Sequence, residues 1–420
     1  MSIEKIKKSL WINKWWILLH LISFLVVKVF IQFTIQVLKY GSNVITFKYT
    51  VLFYLGITIL FCYAVYFSKI KRYKGIVVGA LSLMLMMLIA ETVLRFGVKT
   101  KQTYLEEKGG NVYQSPYRQR AYIKEKKQPS DDEIVWGYEA NSSRMESCSE
   151  FSFQHNYNDE GIRDESISVE KNENEVRLLC LGDSFTEGVG TSQDSTWPQL
   201  LELKYDQKYG SNKYTCINAG VAGSDPIDEY YMLEKMLKYQ PDLVLLCINS
   251  SEPKDIVTRG GFERYRNGKL NQKYGPFWEP LFALSYIFRH VMMDVFHYTF
   301  ELKTPRQMES EFMNAYQILE NAIFEIEKLA QQNKADFVLI YTPSEYEMRT
   351  KDILMDSFME HLAKTSNLKI IYTIPCLDQF MFENGNYIDK YYWKADRHFN
   401  SEGYNILADC IFTALEHNKE

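Results

Sequence analysis

Several features are missing from this 420-residue chain, and each absence removes a class of function. Positive charge is not in excess: 48 Lys and Arg stand against 53 Asp and Glu, a net charge of −5. The chain therefore lacks the basic footprint of a general nucleic-acid binder, and no nucleic-acid partner is expected. The seven cysteines contain no CxxC pair and no Cys/His ligand spacing, and they do not form the dense framework of a small secreted domain. Cys180 and Cys247 lie in apolar, strand-like runs, where cysteine acts as a small buried hydrophobe. Cys148, with polar neighbours, is the expected candidate for a disulfide, its partner left open. Gly188 and Gly190 are not followed by the Gly-Lys-Ser/Thr ending of a phosphate loop. No internal repeat or low-complexity tract is present, and no metal or cofactor is called for.

Long apolar runs, by contrast, crowd the amino-terminal region at about residues 15–38, 49–68 and 75–97. Each reaches the roughly 20 residues that a membrane-spanning helix needs. A cleavable signal peptide would be one shorter segment and does not account for three. Lys28, Gln32 and Gln36 interrupt the first run at four-residue spacing and share one helical face. That face is expected to pack on the other spans or on a partner membrane protein. Lys5, Lys7, Lys8, Lys14, Lys69, Lys71, Arg72 and Lys74 outnumber Lys39 and Lys48 in the intervening loop. This bias puts the amino terminus and second loop in the cytoplasm, and the rest of the chain outside it. Glu91 and Arg95, four apart, are expected to form an ion pair near the end of the third span.

Beyond the membrane region, two stretches carry chemistry. In VRLLCLGDSFTEGVG (176–190), a short apolar run breaks at Gly182-Asp183-Ser184 before a helix start. Such a run suits a buried parallel strand, and the turn at its carboxyl end is where open α/β sheets place their sites. Ser184 would stand exposed there. In KADRHFNSEGYN (394–405), Asp396 precedes His398 by two residues, just before the last helix. A serine nucleophile needs a base to take its proton and a third group to orient that base; His398 and Asp396 are of the right types.

GDSFTEG, INAGVAGSD and DRHFN, in this order, resemble the SGNH/GDSL hydrolase family over about residue 156 to the C-terminus. The resemblance implies a flavodoxin-like α/β fold, with a parallel sheet between helices, that cleaves or transfers acyl esters. It implies Ser184 as nucleophile, His398 as base and Asp396 as its orienter. The backbone N–H groups of Ser184 and Gly223 are then the implied oxyanion donors. One block departs from the family pattern. After the strand in PDLVLLCINSSEPKDI, the usual Asn-Asp pair is replaced by Ser251-Glu252, with Asn249 two residues earlier. Ser251 and Asn249 are the candidates for the missing donor, whose loss can cost ~10²–10³ in rate. The Asp-x-His spacing is one residue shorter than the commonest family form, as in a branch that includes envelope polysaccharide acetyltransferases.

The remaining segments fit around this core. Residues 1–98 read as the membrane region, 99–155 as a juxtamembrane connector and edge segment, and 156–420 as the hydrolase-like domain. The stretch EFSFQHNYNDEG (150–161) alternates around Phe151 and Phe153 as a half-buried strand would. Arg163 is expected in a salt bridge or as a ligand for an acidic substrate. Strand-like runs near 177–181, 214–218, 243–248, 337–341 and 369–373 alternate with helical ones near 196–208, 228–239, 309–333 and 351–365, the pattern of a parallel sheet covered by helices. An insertion at about 253–306 is rich in aromatics and Met; a lid, an amphipathic helix on the bilayer and a packed extra helix all remain open for it. The expectation is a multi-pass membrane protein with an extracytoplasmic serine esterase or O-acyltransferase domain, acting on acyl esters of envelope glycans or lipids. A non-catalytic binding or scaffold protein on the same fold is the alternative.

Overall fold

The computed structural model describes residues 28, 47–67, 73–96, 117, 137–268, 271, 275–299, 301–383 and 388–417. They fall into two compact units, one made of residues 119–273 and 308–420, the other of residues 1–118 and 274–307. The segment expected as one insertion is therefore divided between them.

The larger unit opens with an antiparallel hairpin, β1 (Ser142–Ser147) and β2 (Ser152–Tyr157), in which Ser142 faces Tyr157 and Ser147 faces Ser152. Alternation on β2 turns His155 and Tyr157 inward and leaves Ser152, Gln154 and Asn156 exposed, the period of two of a half-buried strand. Five parallel strands follow: β3 (Val176–Gly182), β4 (Tyr214–Asn218), β5 (Leu243–Ile248), β6 (Asp336–Tyr341) and β7 (Lys369–Tyr372). All five lie within a residue or so of the positions expected from sequence. Their spatial order is β4-β3-β5-β6-β7. Counted from β3, this is the 2-1-3-4-5 order of the flavodoxin-like doubly wound sheet. The strands are near-continuous apolar runs, such as VRLLCLG and LVLLCI, because helices cover a parallel sheet on both faces. The helix Trp197–Tyr209 packs on β4 and on the final helix Ser401–His417, and Pro226–Met236 packs on β3.

Two local expectations change. The helix expected at 351–365 starts only at Asp356, because Lys351 is in a left-handed conformation that ends a preceding helix, Glu345–Thr350. A capping box of Ser344 and Glu347 starts that earlier helix. Cys148 is free, and its Sγ accepts the Glu150 N–H inside the hairpin turn. The disulfide joins Cys376, on the helix Ile374–Glu383, to Cys410 on the last helix, with Cα atoms 5.8 Å apart. Polarity of neighbours misdirected that reading, since a bridge needs Cα separation within a few ångströms of this value and not polar surroundings.

The smaller unit contains the helices Phe47–Phe67 and Tyr73–Phe96 and the aromatic segment of the insertion. Among the described residues, one stretch, Gly75–Arg95, is long and apolar enough to cross a membrane; the apolar stretch of the preceding helix is the shorter Thr50–Ile59. Apart from Lys28, the run expected as the first span lies outside the described residues. Val78, Leu83, Leu85, Met86 and Ile89 of the longer helix are exposed. Buried Glu91 accepts from Tyr54 Oη at 2.7 Å and from the Tyr286 N–H at 2.8 Å, and from the Ser285 hydroxyl, instead of forming the expected ion pair with Arg95. It thereby caps the helix Tyr286–His290, while Thr50 Oγ1 donates to the Leu284 carbonyl at 2.7 Å. Arg95 stacks over the Tyr286 ring at 4.8 Å. The aromatic segment is helical in this unit, with Phe282, Leu284 and Met292 buried and Phe277, Val295 and Phe296 exposed.

Candidate active site

Ser184 begins a one-turn helix, Ser184–Glu187, directly after β3. Asp183 caps it, its Oδ1 accepting the Phe185 N–H at 2.9 Å, and Gly188 ends it in the left-handed region. Gly182 permits the sharp turn: an added Cβ would lie 2.2 Å from Thr186 Oγ1 and 2.7 Å from the Cys247 carbonyl. The site thus sits at the carboxyl end of the paired strands β3 and β5, from which the chain runs on in opposite directions across the sheet, to β4 and to β6, the switch point at which doubly wound folds bind ligands.

Two distant stretches meet there. His398 Nε2 lies 2.7 Å from Ser184 Oγ, and His398 Nδ1 is hydrogen-bonded to Asp396 Oδ1. With Nδ1–H donating to the carboxylate, Nε2 is left as the acceptor for the serine proton. The side chains of His398 and Asp396 are 19% and 13% exposed, so solvent and substrate can reach them. The Phe185 ring packs 5.0 Å from the imidazole.

The loop carrying Gly223 is tied to the Ser184 turn. The Val221 N–H donates to the Gly182 carbonyl at 3.0 Å, the Ser224 hydroxyl to the same carbonyl at 3.1 Å, and the Ala222 N–H to Glu187 Oε2 at 2.6 Å. Gly223 itself has φ +83°, a conformation that favours glycine. Among the described residues, the N–H groups of Ser184 and Gly223 have no protein acceptor. Asn249 is engaged in shaping the turn. Its Nδ2 donates to Asp183 Oδ2 at 2.9 Å, and its Oδ1 accepts the Ser251 N–H at 2.8 Å. Ser251 is exposed at the start of the helix Glu252–Arg259.

Charged groups surround this frame. Glu187 is fully buried and accepts from Tyr138 Oη at 2.6 Å, His155 Nδ1 at 2.8 Å, Tyr157 Oη at 3.1 Å and Arg144 Nη2 at 3.4 Å, besides Ala222. Burial alone would raise its pKa, but His155, Arg144 and Tyr138 outweigh it and hold the carboxyl at about 2. Arg163 is fully buried and, among the described residues, does not form the expected salt bridge. Its guanidinium donates to the carbonyls of Glu187 at 3.1 Å, Gly188 at 2.6 Å and Thr191 at 2.7 Å, clamping the chain that leaves the nucleophile helix. Backbone carbonyls have no sequence signature, which is why this role was not legible. Behind the turn, burial and the neighbouring carboxyls of Glu229 and Asp183 push Glu252 well above the usual carboxylate range.

No protein-family model matches this chain. An uncharacterized protein of Mycoplasma pneumoniae is 33% identical over 79 residues, which are 19% of this chain and 9% of that one. Among solved structures, a two-domain esterase active on acetylated mannans is similar over 58% of this chain and 49% of its own, at 14% identity and a TM-score of 0.37. A catalytic mutant of an acetylxylan esterase from Geobacillus stearothermophilus is similar over 59% and 96%, at 16% identity and a TM-score of 0.35. A GDSL-like lipase from Bacteroides thetaiotaomicron is similar over 59% and 92%, at 16% identity and a TM-score of 0.33. The chain spans about half the length of the mannan esterase and about a tenth of the Mycoplasma relative. With likenesses of this size, what the site does has to be read from its own residues.

Proposed function

We propose that the larger unit is an SGNH/GDSL-type serine enzyme acting on acyl esters, with Ser184 as nucleophile, His398 as general base and Asp396 as its orienting group. The observation that carries this reading is the unbroken line from Ser184 Oγ through the imidazole to the Asp396 carboxylate, at the carboxyl edge of a doubly wound sheet. Ser184 Oγ attacks the ester carbonyl as its proton passes to His398 Nε2, and Asp396 stabilises the imidazolium that forms. The N–H groups of Ser184 and Gly223 receive the oxyanion; the Ser251 hydroxyl and the Asn249 amide are the candidates for a third donor. The imidazolium returns its proton to the leaving alcohol as the tetrahedral adduct collapses. Water or an acceptor hydroxyl then attacks the acyl-enzyme, with His398 again as base, which gives an esterase or an O-acyltransferase.

The address of the enzyme is part of the same proposal. Gly75–Arg95 supports membrane attachment, and the Lys/Arg bias supports a multi-pass topology with the catalytic unit outside the cytoplasm. The Cys376–Cys410 disulfide is consistent with that side, because such bonds persist in oxidising compartments. Acyl-bearing glycans or lipids of the envelope are then the substrate class within reach, and a membrane partner would pass acyl groups to a transferase. Fluorophosphonate labelling of the full chain in detergent tests the reading. Labelling should require both Ser184 and His398 and vanish in Ser184→Ala and His398→Ala; absence of labelling in the folded wild type would favour a non-catalytic scaffold.

A further inference from the structure

We propose that Glu150, in the turn of the β1–β2 hairpin, is a positioning residue that fixes Asp396 by holding the backbone on which it sits. This rests on the roles assigned to Ser184, His398 and Asp396 above. Glu150 Oε1 accepts the Lys394 N–H at 3.0 Å, and Oε2 accepts those of Ala395 at 2.8 Å and Asp396 at 3.0 Å. Three successive amides thus converge on one carboxylate that lies 244 to 246 residues away in sequence. Successive N–H groups aimed at one point form a concavity that binds an anion, and here a side chain supplies it. Hydrogen bonds to an ionised acceptor are roughly twice as strong as neutral ones.

The loop also closes on itself. The Trp393 N–H donates to the His398 carbonyl and the Arg397 N–H to the Trp393 carbonyl, both at 2.9 Å, closing a tight ring of chain. Arg397 adopts φ +72° within it. Its apex, residues 394–396, is the part that rests on Glu150. Beside it, Phe151 packs on the Trp393 ring at 5.4 Å, and Trp393 Nε1 donates to the Gly190 carbonyl at 2.8 Å. The other end of the same hairpin holds Glu187 through His155 and Tyr157. One hairpin, expected from sequence to pad the domain's edge, therefore braces the nucleophile turn and the acid–base loop together. An error of about 1 Å in such an alignment can cost ~10²-fold in rate.

The test compares the full-length wild type with Glu150→Ala and Glu150→Gln. Hydrolysis of p-nitrophenyl acetate should fall about 10- to 100-fold in kcat for Glu150→Ala with KM unchanged. Glu150→Gln, which keeps one acceptor oxygen, should recover part of the loss, and fluorophosphonate labelling rates should follow the same order. Hydrogen exchange of the peptide containing residues 394–396 should accelerate in Glu150→Ala, with exchange in the β3–β6 strands unchanged. If Glu150→Ala does not fold, Glu150→Gln carries the same comparison. A kcat within twofold of wild type, or unaltered exchange at 394–396, would overturn the proposal. A wild type that neither labels nor hydrolyses would overturn the catalytic reading instead, while the exchange experiment would still decide whether Glu150 holds the loop.

Discussion

The turn that carries Ser184 and the loop that carries His398 meet in one hydrogen-bonded line but are held by opposite means. The nucleophile turn is secured from within. Gly182 and Gly188 shape it, Asp183 caps it, and its own buried Glu187 ties its far end to neighbouring chain. The His398 loop is partly exposed and is secured from outside, by the carboxylate of Glu150 and by the Gly190 carbonyl that accepts the Trp393 indole N–H. A segment that holds itself writes its geometry into its own sequence. A segment held by others does not.

The comparison can be broken in four places. Ser184→Ala removes the nucleophile and should lower kcat the most, by about 10⁶-fold if the three groups act as a unit. Steady-state hydrolysis of an activated ester, read against a buffer blank, checks this. Asp396→Asn leaves the serine and imidazole in place but favours the wrong tautomer, and about 10⁴-fold loss is expected. The ratio of the two variants under the same assay shows whether orientation of His398 matters as the geometry implies.

Glu187→Gln acts on the interior of the nucleophile turn and should show first in stability. The folded pKa of Glu187, about 2, lies below its ordinary 4.5. Its contribution is therefore present above about pH 4.5 and lost as pH falls through about 2, a difference of about 3 kcal/mol for a group this buried. Urea titrations across that range should show a steep acid decline in wild type and a flatter one in Glu187→Gln. The smallest effect on catalysis is expected at the disulfide. Cys376→Ser should cost about 2–4 kcal/mol of stability while leaving KM unchanged, because the bridge joins helices behind the acid–base loop and touches no reacting atom. A large change in KM would show that the last helix governs the site more directly than its contacts suggest.

The sheet was legible because each strand is a short apolar run bounded by turn residues, and burial on both faces leaves no other pattern for it. Ser184, Asp396 and His398 were legible because motif spacing places them at strand and helix ends. Gly223 was legible through a weaker glycine block. The supporting groups were not. Glu187 looks like any acidic residue on a helix until His155, 32 residues away, is folded against it. Glu150 and Arg163 act on backbone groups, which every residue carries alike. Cys148 drew attention by its surroundings, whereas the pair that forms depends on two helices the sequence shows only as separate segments. In the smaller unit, Glu91 read as half of an i,i+4 pair because the segment that reaches it, Ser285–Tyr286, comes 194 residues later.

The central claim is that Ser184 forms a covalent acyl intermediate. Full-length protein mixed with p-nitrophenyl acetate and quenched in acid within the first turnovers, then digested and analysed by mass spectrometry, tests it most directly. The account predicts one acetyl group on the peptide containing Ser184, absent in Ser184→Ala and much reduced in His398→Ala. Ester hydrolysis by a wild type whose Ser184 peptide stays unmodified at every quench time, and which persists in Ser184→Ala, would contradict it.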